Sequence, residues 1–289
     1  MPKLLLLVDK MSHNESEIET SHGRLSRTYL EEVDSTNNFA MKLLKNDAEK
    51  SMSKDGFLVT TSSQSSGKGQ RGNVWSSLPG RDLAMTWVVT KPPQVGATVF
   101  NMAAALATGK GIRNAVKEIS GIDLPSVALA VKWPNDVYLW SNGGYRKVAG
   151  ILVENNWRGD TWTASLVGIG VNVMSRRVSR AYNAVSISEV INQDLKPQEI
   201  EAPILEYLLD YIEILNQDGG AEKIAREFNK ELFGRNELRE YEVGGKTLKG
   251  VLKEIDSNGL GVFEWQNDLH PKSKLHSSEV KWVFSLHTL

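Results

Sequence analysis

The segment Lys132-Trp133-Pro134-Asn135-Asp136 ends an apolar run with a lysine and places an aspartate four residues later. Trp133 and Pro134 stiffen the stretch between them, so the ammonium is positioned rather than free. Lysine is a compact point charge suited to a carboxylate or a phosphate, and Asp136 can hold a magnesium ion or orient a lysine. The same residues also fit a turn with an Asx cap and a surface salt bridge. A second lysine, Lys147, begins the apolar stretch 148–154, where Gly150 marks close approach by a ligand or another backbone. A solubility lysine at a strand edge is the plainer alternative. In Gly168-Ile169-Gly170-Val171-Asn172 two alternating glycines leave one strand face without side chains. That face is either a floor for a flat group or a seat for a closely packed helix.

Gly67-Lys68-Gly69-Gln70-Arg71-Gly72 has the spacing G-x-G-x-x-G. A dinucleotide site needs a helix opening after the glycines and an acid about 20 residues on. Asn73-Val74-Trp75-Ser76-Ser77 opens no helix well, and Asp82 comes too early. Residues 62–81 contain Lys68, Arg71 and Arg81 and no acid. Two readings remain: a flexible polar loop, or a loop whose glycines let backbone N–H groups wrap an anion such as phosphate.

These segments need elements to hold them. Asp34-Ser35-Thr36-Asn37 opens a helix that Ser35 or Asp34 can cap, with Phe39, Ala40, Leu43 and Leu44 on one face. Strands are expected over 56–61, 83–90, 127–133, 137–140, 148–154 and 161–173, with Ser141-Asn142-Gly143-Gly144 as a hairpin turn. An Ala-rich helix is expected over 98–119, with Gly109 and Gly111 as kink points, and amphipathic helices over 199–216 and 221–232. After Gly234 the texture changes. Hairpin turns Gly244-Gly245 and Asn258-Gly259 separate five short β-rich runs at 240–243, 247–255, 260–265, 269–275 and 280–286, which suggest a small barrel. The expected organisation is a flexible tail over 1–27, a large domain over 28–235 and a barrel over 236–289. The polar stretch 12–22 has the composition of a linker. The apolar run 4–8 falls short of the roughly 7–15 residues of a secretory core and fits a short strand or a frayed tail.

The 289 residues are 40% hydrophobic and 24% charged, enough to bury a sizeable core, and the net charge of −1 argues against a globally basic nucleic-acid binder. The chain has no cysteine, which removes disulfides, a thiol nucleophile and thiolate metal sites. That composition fits a reducing compartment, and the cytoplasm is the expected location. No apolar run approaches the ~18 residues needed to span a membrane.

Five blocks occur in order: Asp34-Ser35-Thr36-Asn37, Gly67 to Trp75, Lys132 to Asp136, Lys147-Val148-Ala149-Gly150-Ile151-Leu152, and Gly168 to Asn172. Together they resemble the biotin protein ligases (holocarboxylase synthetases), over roughly residues 28–286. The resemblance implies an α+β fold: a mixed sheet flanked by helices, of the class II aminoacyl-tRNA-synthetase-like biotin/lipoate ligase type, followed by a small Src-homology-3-like β-barrel. It implies that ATP activates biotin as biotinyl-5′-adenylate, and that biotin passes to one lysine of a biotin carboxyl carrier domain.

By the same resemblance Lys147 contacts the reacting carboxylate and the α-phosphate. Lys132, Asp136 and Arg71 act beside it, and Asp136 either accepts the acceptor lysine's proton or only orients that lysine. Ser35, Thr36, Asn37, Gln64 and Thr86 would serve biotin's ring. Gly67, Lys68, Gly69, Gln70, Arg71, Trp75, Gly150, Ile151, Gly168 and Gly170 would complete its slot, with Lys147 at one end. Lys68, Gln70, Arg71, Gly72, Asn73, Val74, Trp75, Asn135, Lys147 and Asn172 would face the nucleotide. Residues 67–75 would form a lid, and residues 174–184, with Arg176 and Arg177, a second loop near the adenine. The family often has arginine where this chain has Gln70, so either Arg71 takes over retention of the adenylate or Gln70 is the contact. Magnesium would accompany ATP, with Asp136 as its one candidate ligand. The first 27 residues hold no helix-turn-helix pattern, so neither DNA nor a membrane is an expected partner. A lipoate or octanoate ligase is the main rival, but its Arg-Arg…Gly-Gly-Gly and His-Asp blocks are missing. A binding protein without turnover is the other, and the set Lys132, Asp136 and Lys147 argues against it.

Overall fold

The computed structural model describes residues 13–46, 56–125, 128–175, 183–266 and 273–283. A large mixed sheet carries β1 (His13–Thr20), β2 (Gly23–Val33), β3 (Phe57–Gln64), β4 (Leu83–Val89), β5 (Leu129–Lys132), β6 (Asp136–Ser141), β7 (Gly144–Arg158) and β8 (Thr161–Val171). Their order is β1-β2-β3-β4-β8-β7-β6-β5. Only β2 and β3 run parallel, because helix α1 (Thr36–Asn46) makes the crossover between them. The central strand β4 is buried along its whole length, which is why it reads as an unbroken apolar run.

Side-chain alternation along the strands divides the core between two faces. Leu30, Val33, Val59, Val88 and Leu166 meet Phe39 and Ala40 of α1 on one face. Leu58, Met85 and Trp87 point the other way, into a larger cluster with α2 (Ala97–Ser120), α4 (Glu201–Leu215) and α5 (Gly220–Lys230). The short α3 (Ile187–Ile191) is closed by a capping box between Ser186 and Glu189. No described helix is long and apolar enough to cross a membrane.

Two expectations are corrected. The stretch 12–22 is no linker where it is described: His13–Thr20 is β1, which pairs antiparallel with β2 in the large sheet. An exposed edge strand needs polar side chains, and composition alone confuses that with disorder. Its hairpin turn docks on α4, where the His22 ring meets Asp210 at 2.9 Å and Glu213 at 3.2 Å. Nearby, Arg27 forks onto the buried Glu201 at 2.7 and 3.0 Å. Second, α2 runs unbroken past Gly109 and Gly111. The glycine at 111 serves packing instead: a Cβ there would lie 2.5 Å from the Cα of Ile204 on α4. Of the expected strand 269–275, residues 269–272 lie outside the described residues, and Lys274–Leu275 is a strand. The apolar run 4–8 lies outside the described residues.

The second sheet is antiparallel, with β9 (Leu238–Val243), β10 (Lys246–Ile255), β11 (Gly261–Trp265), β12 (Lys274–Leu275) and β13 (Val280–Trp282) in the order β12-β11-β10-β9-β13. Two ties bind it to the large sheet. Asn229 of α5 exchanges a pair of 2.8 Å hydrogen bonds with the backbone of Ile255. The Trp133 indole donates to the Gly259 carbonyl at 3.2 Å. The apolar core continues across the junction through Tyr241, Leu252 and Phe263.

The two helix glycines make opposite predictions. Gly111→Ala should lower stability by about 1–3 kcal/mol, since the new methyl overlaps backbone. Gly109→Ala meets only Val137 Cγ1, at 3.7 Å; it should be neutral or stabilise by up to about 1 kcal/mol through helix propensity. Urea titration of both variants checks the pair.

Candidate active site

The β5–β6 hairpin sets Lys132 directly across from Asp136, with a cis Trp133–Pro134 bond in the turn. On the next strand Asp136 faces Gly150, and a register shift after Val137 puts Lys147 beside Tyr138. From there Lys147 Nζ reaches back to Asp136 Oδ1 at 2.7 Å, while Lys132 Nζ stands 3.4 Å from Oδ2. Gly150 makes that reach possible, because a Cβ there would lie 3.0 Å from Lys147 Nζ. Lys132 Nζ is also 5.9 Å from the ring centres of both Tyr138 and Trp282, and Lys147 Nζ is 5.7 Å from that of Trp75.

Burial alone would push the Asp136 carboxyl up. The two ammonium groups overcome it and hold the carboxyl below the usual range. Burial pushes Lys132 down; Asp136 opposes this, and Lys147 and Arg71 add to it.

Two adjoining cavities meet at this cluster. The inner one lies over Gly168 and Gly170 of β8 and Gly150 of β7, with Gly150 paired across from Gly170. In this structure the floor carries the protein's own flat groups. A Cβ at Gly168 would lie 2.3 Å from Asn37 Oδ1, and one at Gly170 would lie 2.2 Å from Trp75 Cε2. The Trp75 Nε1 donor is buried and, among the described residues, has no partner. At the polar end the Thr36 N–H donates to Gln64 Oε1 at 2.9 Å, and Thr86 Oγ1 stands 2.8 Å from Thr36 Oγ1 and 2.5 Å from Asn37 Oδ1.

Residues 67–75 fold back as a tight hairpin. Gly69 N–H donates to Asn73 O at 2.7 Å, and Trp75 N–H to Gly67 O at 2.9 Å. Arg71 at the tip has φ of 57°, in the left-handed region that favours glycine. Its guanidinium donates to the Ser277 carbonyl, which joins the loop to the second sheet. Lys68 Nζ donates to Asn38 Oδ1 at 2.6 Å. The outer cavity lies beneath this bridge. Arg71, Lys132, Lys147 and Lys281 line it with one carboxylate, Asp136. Gly69, Gln70, Trp75, Asn135 and Lys147 border both cavities.

Of the residues singled out from sequence, Ser35, Thr36, Asn37, Gln64, Lys68, Gly150, Ile151, Gly168 and Gly170 border the inner cavity alone. Arg71, Asn73, Val74, Lys132 and Asp136 border the outer one alone. Thr86 stands behind Thr36 and Asn37, and Gly67 sits at the loop's neck. Gly72 and Asn172 border neither described cavity. Asn172 instead braces Lys147, its side chain donating to the Lys147 carbonyl at 3.3 Å. Arg176 and Arg177 lie outside the described residues. Sequence reasoning missed Met85, Leu152 and Ile169, which border the inner cavity. It also missed Ser277, Lys281 and Trp282, which border the outer one. Period-two alternation puts Leu152 on the face of Gly150 and Gly168 and would have found it; Met85 and Ile169, paired with each other on the opposite face, and the residues of the second sheet carry no such signal.

A protein-held metal does not fit this donor set. Among the described residues Asp136 is the one carboxylate bordering either cavity, and both its oxygens face lysines. Among the described residues no three His, Asp or Glu side chains cluster as metal ligands do.

The profile of the biotin/lipoate A/B protein ligase family matches residues 29–172. The bifunctional ligase/repressor BirA of Escherichia coli is 28% identical over 245 residues, which cover 83% of this chain and 69% of that protein. The biotin–[acetyl-CoA-carboxylase] ligase of Paracoccus denitrificans is 39% identical over 147 residues, 50% of this chain and 53% of that one. Among solved structures, the biotin protein ligase from Aquifex aeolicus in complex with biotin and ATP superposes with a TM-score of 0.63 at 21% identity, covering 90% of this chain and 95% of that one. At that identity the likeness speaks for the fold, a mixed sheet flanked by helices beside a smaller antiparallel sheet.

Asp136→Asn should destabilise the protein by about 3 kcal/mol at neutral pH, because two partly buried ammonium groups lose their shared anion. Replacing Lys132 with Met in that background should recover part of the loss. The native carboxyl lies below its ordinary 3.8, so its contribution is fully present above the unfolded value and fades as pH falls through the folded one. Denaturant midpoints of wild type and Asp136→Asn should therefore converge only in that acid window.

Proposed function

Since this chain belongs to the biotin/lipoate A/B protein ligase family, we propose that it is a biotin–protein ligase acting through a biotinyl-5′-adenylate. The observation that carries the reading is the sharing of Lys147 between two cavities of different character. The inner one has an apolar glycine floor, a polar end and an unpartnered indole N–H. The outer one is lined by cations. A long acid with a small polar head fits the first, and a nucleoside triphosphate fits the second.

In the first step a carboxylate oxygen of biotin attacks the α-phosphorus of ATP, and the bond to the β-phosphate oxygen breaks, releasing pyrophosphate. Both reactants are anions, so the barrier is largely electrostatic. Lys147 stands at the junction, where charge builds on the α-phosphoryl oxygens, and Lys132 and Arg71 lower the barrier by making the outer cavity attractive to anions. Asp136 keeps the two lysines together in a buried place they would otherwise repel each other from. In the second step the neutral amine of an acceptor lysine attacks the acyl carbon, AMP leaves, and the ammonium loses a proton. Asp136 is the one base at hand, and its depressed pKa makes it a better orienting anion than proton acceptor. The acceptor we propose is the biotin carboxyl carrier domain of a biotin-dependent carboxylase. Magnesium would accompany the triphosphate, held by its phosphates rather than by protein carboxylates.

ATP–pyrophosphate exchange tests the reading. Exchange should depend on biotin and should not appear with lipoate or without an acid; exchange with lipoate alone would put the chain in the lipoate branch. Lys147→Ala should abolish it in a folded protein, and near-normal exchange would strip Lys147 of its role at the reacting carboxylate.

Arg71 and Gln70 separate two ways of retaining the intermediate. Arg71 ties the loop over the outer cavity to the second sheet. Its loss removes a charge-assisted hydrogen bond of roughly 1.5–3 kcal/mol, or about 10- to 150-fold in release. Arg71→Ala should therefore leak adenylate and label bystander proteins, whereas Gln70→Ala should not. Leakage from Gln70→Ala alone would reverse the assignment.

A further inference from the structure

Glu154 lies on β7 four residues beyond Gly150, and its Oε2 accepts a hydrogen bond from Asn37 Nδ2 at 2.6 Å. It is partly buried, and among the described residues no salt bridge pairs it with a cation. A carboxylate only accepts, so it fixes which way the Asn37 amide faces: Nδ2 toward Glu154 and Oδ1 toward Thr86. The Thr86 hydroxyl has one proton and stands 2.5 Å from Asn37 Oδ1 but 2.8 Å from Thr36 Oγ1. With that proton on Asn37, the Thr36 hydroxyl has acceptors for its own proton in Thr86 Oγ1 at 2.8 Å and Gln64 Oε1 at 3.3 Å, and so it turns an acceptor lone pair to the cavity. Gln64 Oε1 is taken by the Thr36 N–H, so Gln64 keeps its two Nε2 donors for other partners. The array thus offers an acceptor at Thr36 and donors at Gln64.

We propose that Glu154 is a positioning residue that sets the donor–acceptor polarity of this array through Asn37, and so selects a cyclic urea. The inference rests on the biotin reading. A urea ring presents N–H donors and one carbonyl acceptor, the complement of Thr36 and Gln64. A glutamine at position 154 can present either an N–H or an oxygen to Asn37, so the amide is free to turn over and the array loses its fixed polarity.

The test is steady-state kinetics of biotin-dependent ATP–pyrophosphate exchange in Glu154→Gln, Asn37→Ala and the double variant, in the full chain. Glu154→Gln should raise KM for biotin about 10-fold, leaving kcat and KM for ATP near wild type. The double variant should be no worse than Asn37→Ala alone, because Glu154 acts only through Asn37. Glu154→Asp, one methylene short of Asn37, gives the same measurement should the amide variant not fold. An unchanged KM for biotin, or costs that add in the double variant, overturns the proposal while exchange in the wild type continues. A wild type without biotin-dependent exchange sinks the biotin reading, and this inference with it.

Discussion

Two ammonium groups share one carboxylate in a largely buried place, and the rest of the site is arranged around that fact. At about 4 Å and an effective dielectric near 20, each unit-charge contact is worth about 4 kcal/mol, so two cations without an anion between them would push the strands apart. Asp136 therefore has to stand where β5, β6 and β7 meet. The hairpin register brings Lys132 to it from one side, and the shift after Val137 brings Lys147 from the other. Trp133 in the hairpin turn then fixes the second sheet through the Gly259 carbonyl. The charge cluster and the packing of the smaller sheet thus depend on the same short hairpin.

Absent side chains do as much as present ones. Gly150 leaves room for the Lys147 ammonium, Gly168 for the Asn37 amide and Gly170 for the Trp75 indole. A floor of this kind binds flat groups because nothing projects from it. The loop above it is tied near its start by Lys68 to Asn38 and at its tip by Arg71 to Ser277. Opening it breaks these two exposed polar contacts and lifts the Trp75 ring from Gly170, a modest cost that suits an element that must admit and then cover a ligand.

Much of this was legible in the residues themselves. Apolar runs and turn chemistry located β4, β6, β7 and β8, because those strands lie inside the sheet, and β4 and β8 are buried over most of their length. The lysine, aspartate and glycine positions stood out because a charge inside an apolar run, or a bare strand face, needs a reason. Other features were hidden for physical causes. β1 is polar because it is an edge, so its composition matches a linker. Gly111 resembles a helix defect until Ile204 is seen against it. Glu154 carries no local signal, since its meaning lies in an amide on another element. Ser277, Lys281 and Trp282 reach the outer cavity only because the second sheet packs there.

A crystal structure of the protein with a non-reactive analogue of biotinyl-adenylate tests the central claim most directly. Lys147 Nζ should lie within about 3.2 Å of a phosphoryl oxygen while keeping its contact with Asp136, and the ring of the acyl group should lie in the inner cavity against Thr36 and Gln64. An analogue bound with its phosphoryl group away from Lys147, or a Lys147–Asp136 pair that parts to admit it, would contradict the account.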